Sequence, residues 1–233
     1  MEYRSTKLLS LFACAALATV PSAASASELI TNGNFSSGLT GFSTTYDQTD
    51  PGGYLFLTTN PALVCGSCFP SMGDHTTGSG NLVLVDGAGV GDGLTPGSHP
   101  YYSVTLAVVP GTNYTFSYFA ANLGPSDQPV PVLATYLNGI LLGAPSTPTF
   151  GQWTPYSFMF NAGAFSSITL SLSDLTATHS FNDFALDDVS LQGQIPGTPG
   201  GVPEPSTWAM MLLGFGAIGA AARHARRKGP AIA

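Results

Sequence analysis

Between Ser27 and Val202 this chain contains no lysine and no arginine. All six basic residues lie outside that stretch: Arg4 and Lys7 near the start, and Arg223, Arg226, Arg227 and Lys228 near the end. Phosphate recognition needs cations, so nucleic acid is excluded as a partner of the body. Nucleotides and phosphorylated substrates would likewise find no clamp. The opposite sign is plentiful. Glu28 and the aspartates at 47, 50, 74, 86, 92, 127, 174, 183, 187 and 188 give the body eleven acidic groups against no basic ones. Such a balance suits solubility outside the cell, and it suits divalent cations, which relieve repulsion between carboxylates.

Other absences narrow the chemistry. No G-x-S-x-G is present, which removes the nucleophile elbow of an α/β-hydrolase. The glycine-rich stretch 87–97 has neither G-x-G-x-x-G nor a phosphate-loop lysine, so it reads as a connection between strands. His75, His99 and His179 stand in polar or turn surroundings without a paired motif. A glycosidase needs two carboxylates about 5–10 Å apart, and no acidic residue here sits in a recognisable catalytic context. The body therefore reads as non-catalytic.

Cysteine is scarce, and Cys65-Gly66-Ser67-Cys68 is the body's only pair. C-x-x-C spacing serves redox centres and half-sites for zinc as well as local disulfides. Phe69-Pro70 and a glycine-rich stretch come next in place of a helical pattern, and the nearest histidines are isolated. A disulfide bracing a loop is the expectation, and it fits an oxidising compartment.

Strong helix formers are rare between residues 27 and 193, where short apolar runs alternate with Gly, Ser, Thr, Asn and Pro. Leu82–Val85, Tyr102–Val108, Tyr114–Ala120, Val132–Leu137, Ile140–Leu142, Gln152–Phe160, Ser167–Leu172 and Phe184–Leu191 all read as strands. Asn138-Gly139 marks a hairpin, and Asp86-Gly87 and Pro110-Gly111 mark turns. The pattern predicts an all-β fold, an antiparallel β-sandwich of jelly-roll type over residues 27–193. In Phe184–Leu191 the apolar parity switches: Phe184 and Leu186 share one, Val189 and Leu191 the other. Either both faces are apolar or a bulge near Asp187-Asp188 shifts the register. A Gly/Pro-rich linker covers 194–201.

Both ends read as processing segments. Arg4 and Lys7, an apolar run from Leu8 to Val20, and Ala24-Ser25-Ala26 form a secretory signal peptide over residues 1–26. Near the other end come Pro203-Glu204-Pro205, then Trp208-Ala209 and an uncharged run to Ala222, then the basic residues 223–228. At about 1.5 Å per residue the run 208–222 covers ~22 Å, short of a ~30 Å hydrocarbon core. It is expected to span the membrane with help from its flanks, basic end inward and body outward. The prolines should keep the preceding motif extended. Residues 229–233 are a short tail.

Residues 202–228 resemble the PEP-CTERM sorting signal in its Pro-Glu-Pro-x-x-Trp-Ala form, carried here by Pro203, Glu204, Pro205, Trp208 and Ala209, with Arg223, Arg226, Arg227 and Lys228 as the cytoplasmic basic stop. The resemblance implies an exported bacterial protein, anchored in the inner membrane by a transmembrane helix at 208–222 until an exosortase cuts it, and destined for the cell surface or the extracellular matrix.

The body also resembles a family. Leu29–Phe35 followed by Gly41-Phe42, then Val109–Ser117, then Trp153 with Ser157-Phe158, then Phe184–Leu191, are similar in kind and order to carbohydrate-binding modules with the galactose-binding-like jelly roll. That resemblance implies polysaccharide as a partner and a structural Ca²⁺ near Asp187, with oxygens from the first strand around Asn34. Where many relatives place an acidic residue after the opening motif, Ser36 stands here. Sugar-stacking aromatics are expected at Tyr101 and Tyr102, beside a strand entrance, and at Trp153. The expected activity is thus that of an exported matrix or surface protein associated with exopolysaccharide, with Ca²⁺-supported carbohydrate binding as the rival and a polysaccharide-acting enzyme behind both.

Overall fold

The computed structural model describes residues 26–46, 53–87, 95–125, 129–176, 178, 181–193 and 205–227. The signal peptide before Ala26, the linker 194–201, Pro203, Glu204, Lys228 and the tail lie outside the described residues. Ser25–Thr198 makes one compact unit.

Two antiparallel sheets build that unit. The first runs β2 (Tyr54–Thr58), β3 (Leu82–Asp86), β10 (Phe184–Gly193), β5 (Asn113–Asn122) and β8 (Thr154–Asn161), with β1 (Ser27–Glu28) also paired to β10. The second runs β4 (Pro100–Ala107), β9 (Ser167–Asp174), β6 (Leu133–Leu137) and β7 (Ile140–Leu141). Every strand run expected from the sequence is present. The short β1 and β2, and a single helical turn α1 (Ala62–Cys65), are additions.

Alternation explains the core. Tyr114, Phe116, Tyr118 and Ala120 of β5 point inward at period two, and Ile168, Leu170 and Leu172 of β9 meet them from the other sheet. Asn138 and Gly139 take φ of 51° and 78°, the left-handed pair that a tight β6–β7 hairpin requires. β3 is buried on both faces, as its unbroken apolar run implies: Val83 and Val85 join the central core. Leu82 and Leu84 instead face outward into a second cluster with Ala121, Leu123 and Ala185. Phe56, Phe69, Met72 and Trp153 cover this cluster.

The parity switch in β10 is a bulge. Asp187 pairs with Phe119 and Ser190 with Ser117, so one extra residue is inserted in β10. Asp188 absorbs it at φ 48°, which aspartate tolerates better than most residues. Phe184, Leu186, Val189 and Leu191 then all reach the same core. The segment after β1 lies along this bulge, with the Val189 amide donating to the Gly33 carbonyl at 2.9 Å. A Cβ at Gly33 would fall 1.7 Å from the Val189 carbonyl oxygen, so only glycine fits there. At the open end of the same ladder Ser27 pairs with Gly193.

A second bulge corrects one expectation. Pro100 pairs with Ser173 and Tyr102 with Leu172, so Tyr101 is the extra residue in β4. Consecutive tyrosines therefore both point inward. Tyr101 is 0 % exposed and Tyr102 2 % exposed. Tyr101 meets Phe184 edge-on at 4.8 Å, and Tyr102 stacks on Phe42 at 4.7 Å. Neither is a surface platform for a sugar.

The second unit contains α2 (Pro205–Arg227). The expected helix is there and is longer than 208–222, because Pro205 opens it: proline needs no amide partner in a first turn. The sorting motif is thus helical from its second proline onward rather than extended throughout. Residues 208–221 are exposed within this unit, as is Arg223. Arg226 and Arg227 close the helix. Among the described residues no helix is long and apolar enough to cross a membrane. Gly214, Gly216 and Gly219 dilute the apolar run and arginine comes directly after it, so the membrane-spanning expectation for 208–222 is not met by the helix alone.

Candidate functional site

The segment 60–80 packs on the outer face of the first sheet and creates two places where side chains converge.

The first is the β10 bulge. Asp187 is fully buried; its Oδ2 accepts the His75 amide at 2.7 Å and its Oδ1 the Asp188 amide at 2.8 Å. Burial raises its carboxyl to about 6, with the charges of Asp188 and Asp74 adding and the two amide bonds opposing. Asp188 Oδ2 lies 2.6 Å from His75 Nδ1, and its Oδ1 accepts the Thr76 hydroxyl at 2.6 Å. The His75 ring stacks on Phe119 at 3.5 Å and meets Trp153 edge-on at 6.0 Å. Trp153 donates from Nε1 to the Gly73 carbonyl at 3.1 Å, so it is a half-buried clamp on the segment. Asp74, under the same turn, is held below the usual carboxylate range: burial acts against this, but bonds from Gly80 and Thr77 outweigh it.

The structure does not join the two residues expected to hold Ca²⁺. Asn34 lines a depression of about 410 Å³ with Glu28, Ser117, Asp188 and Ser190. Asp187 is not among its walls, and both of its oxygens are engaged by amides. Glu28 is a member of this depression that the sequence does not mark. Its Oε1 accepts from the Ile30 and Leu191 amides at 2.8 and 2.9 Å, and its Oε2 from the Ser190 hydroxyl. Among the described residues no group of three or more His, Cys, Asp or Glu is placed to hold a metal ion. The carboxylate oxygens of Glu28, Asp187 and Asp188 each face an amide, a hydroxyl or the His75 ring.

The second place is an open cleft of about 770 Å³ at the other end of the segment. Cys65 and Cys68 are joined as expected, at the C-terminal end of the α1 turn rather than at a helix N-terminus. The bridge forms one wall. Phe69, Phe150 and Phe181 supply aromatic surface, and Gly124 and Asp183 complete the lining relevant here. Phe150 is 44 % exposed and Phe181 47 % exposed. Phe181 is held at φ 67°, and its carbonyl passes so close to Gly124 that a Cβ there would lie 2.1 Å away.

A smaller recess of about 270 Å³ continues the cleft, sharing Cys65, Phe69 and Asp183 and adding Tyr54, Phe56 and Asp86. There Asp183 and Asp86 are joined by a side-chain hydrogen bond. Burial, then that bond and the Asp86 charge, push the Asp183 carboxyl up to about 7, against amide bonds from Gly87 and Asp183 itself. The Tyr54 phenol is also raised, by burial and by Asp86. No sequence motif marks these residues. Their only trace is the run Phe181-Asn182-Asp183 ahead of the closing strand.

Comparison with known proteins gives two kinds of likeness. Residues 201–228 match the PEP-CTERM protein-sorting motif. No curated protein matches the chain. Among solved structures, the Stig cyclase Fisc from Fischerella sp. TAU, in complex with (3Z)-3-(1-methyl-2-pyrrolidinylidene)-3H-indole, is 16% identical with a TM-score of 0.51, over 73% of this chain and 98% of that one. A cyclase from the same organism is 16% identical with a TM-score of 0.50, over 75% and 100%. The CBM22-1 xylan-binding domain of Xyn10C from Paenibacillus barcinonensis is 13% identical with a TM-score of 0.47, over 75% and 97%. At such identities the cyclase likeness shows a shared fold and nothing about activity.

Proposed function

We propose that this chain, which carries a PEP-CTERM sorting motif at residues 201–228, is a non-catalytic protein of the cell surface or extracellular polysaccharide matrix, exported and then cut by an exosortase near Pro203-Glu204-Pro205. The motif match carries this reading: motif, apolar helix and basic end occur in order. The intermediate is membrane-anchored with the body outside and Arg223, Arg226, Arg227 and Lys228 inside. The body is a jelly roll of the galactose-binding-like kind, a reading supported by the order of its sequence patches and by its two antiparallel sheets. Mass analysis of the extracellular form tests the processing. The expected C-terminus falls at or before Ala209; an extracellular protein still ending at Ala233 overturns it.

A second reading is polysaccharide binding, favoured by one observation: the open cleft with Phe150 and Phe181 bare at its mouth. Large exposed apolar side chains gathered at a cavity are uncommon without a ligand. Affinity retention of the exported protein on the producer's own exopolysaccharide tests it. Saturable retention is expected, and passage through the column unretained overturns it.

A further inference from the structure

The cleft's chemistry is selective, and the rest of the body sharpens the selection. Among the described residues, Asp183 is the carboxyl group that lines the cleft, and Asp86 joins it in the adjoining recess together with the Tyr54 phenol. Two carboxyls in hydrogen-bond contact cannot both ionise cheaply, because like charges at that range disfavour the second ionisation. A cation between them removes the conflict, since an ammonium offers three donors and a compensating charge. No lysine or arginine between Ser27 and Val202 can supply that cation from within. The same absence removes any partner for the uronate or sulfate groups of acidic polysaccharides, and eleven acidic side chains repel them. Phe150 and Phe181 leave flat apolar surface bare beside the pair. The cavity of about 770 Å³ is of the size that holds a small ring system. Because the cleft is open, hydroxyls on the far edge of a sugar stay hydrated, and only a ring face and one polar substituent need protein partners.

Resting on the polysaccharide reading above, we propose that this cleft binds an amine-bearing sugar unit of a polysaccharide, its ring face on Phe150 and Phe181 and its ammonium between Asp183 and Asp86. The deacetylated amino sugar is thereby preferred over its acetylated, neutral and acidic counterparts. Any acidic protein adheres to a polycation to some degree. What distinguishes a site is dependence on the cleft residues and on the sugar ring, and both can be read directly.

The test compares retention of the exported protein, at physiological salt, on deacetylated polyglucosamine, on its acetylated form, on cellulose, on alginate and on polylysine. Retention is expected to be strongest on deacetylated polyglucosamine and to be competed by its short oligomers. Asp183→Asn and Phe150→Ala are each expected to weaken that retention about tenfold while leaving polylysine adhesion unchanged. Phe150→Ala alters an exposed side chain, so it remains informative if Asp183→Asn folds poorly. Equal retention on cellulose and on deacetylated polyglucosamine overturns the amine preference and leaves polysaccharide binding standing. Retention that tracks polylysine and ignores both substitutions overturns the cleft as the site. No retention on any glycan of this panel overturns the proposal, while retention on the producer's own exopolysaccharide decides separately the reading on which it rests.

Discussion

His75 Nδ1 lies 2.6 Å from Asp188 Oδ2, across 113 residues of chain, while the same imidazole lies flat on Phe119 at 3.5 Å. One side chain thus fastens the 60–80 segment both to the bulge of β10 and to the face of β5. His75→Ala removes the bond and the stack together. Both groups are partly exposed, so the expected loss is about 1–2 kcal/mol, or roughly 3–6 °C in Tm. His75→Phe keeps the stack and recovers part of it. Thermal unfolding of the two variants checks this; identical Tm for wild type and His75→Ala would show that the segment is held by other contacts.

The raised carboxyls set the sign of the pH response. Asp183, at about 7, and Asp187, at about 6, bind their protons more tightly folded than in the unfolded chain, where an aspartate titrates near ~3.9. Their contribution is complete below about pH 4 and is lost as pH rises through 6 and 7. Asp74 acts oppositely, since its lowered value contributes above the unfolded value and is lost in acid. Tm is therefore expected to peak near about pH 5 and to decline toward pH 8, with Asp183→Asn flattening the decline. A Tm that climbs steadily from pH 5 to 8 contradicts the assignment.

Tyr101 carries a fully buried hydroxyl that finds no hydrogen-bond partner among the described residues. Removing an unpaired buried hydroxyl relieves a desolvation cost of about 1–3 kcal/mol. Tyr101→Phe is expected to be neutral or stabilising, whereas Tyr101→Ala opens a cavity and costs about 3–5 kcal/mol. Denaturant midpoints distinguish them. Clear destabilisation by Tyr101→Phe would mean that the hydroxyl has a partner after all.

Chelation is expected to leave the fold alone. Glu28, Asp187 and Asp188 already have hydroxyl or amide donors on their oxygens or a histidine against them. Adding EDTA to the exported protein should shift Tm by less than about 2 °C, well inside the change that 1 kcal/mol produces in a domain of this size. A fall of several degrees, reversed by calcium, would return a structural ion to the bulge.

Most of the sheet skeleton is legible in the sequence because its strands announce themselves locally, as in the alternating aromatics of β5 or the Asn138-Gly139 turn. The parity conflict in β10 even marks its bulge. Bulges without such a conflict are invisible. Tyr101 and Tyr102 look like residues on opposite faces, and only the pairing with Ser173 and Leu172 turns both inward. β2 escapes a local reading because its partner, β3, lies more than twenty residues further on and a glycine-rich excursion separates them. The cleft is illegible for the same reason. Phe69, Phe150, Phe181 and Asp183 come from three distant segments, and no local spacing relates them. Glu28 is missed because the family pattern places the acidic residue after the opening motif, whereas the fold brings it from the strand before.

Ser27 and Gly193 close the same rung of the ladder, so the body begins and ends at one seam. Among the described residues every strand lies between these two positions. Leader and sorting tail can be shed without unravelling a strand, and the seam can be stitched: a short loop from Gly193 to Ser27 would yield a circular sandwich, free to be reopened at an exposed turn such as Asn138-Gly139.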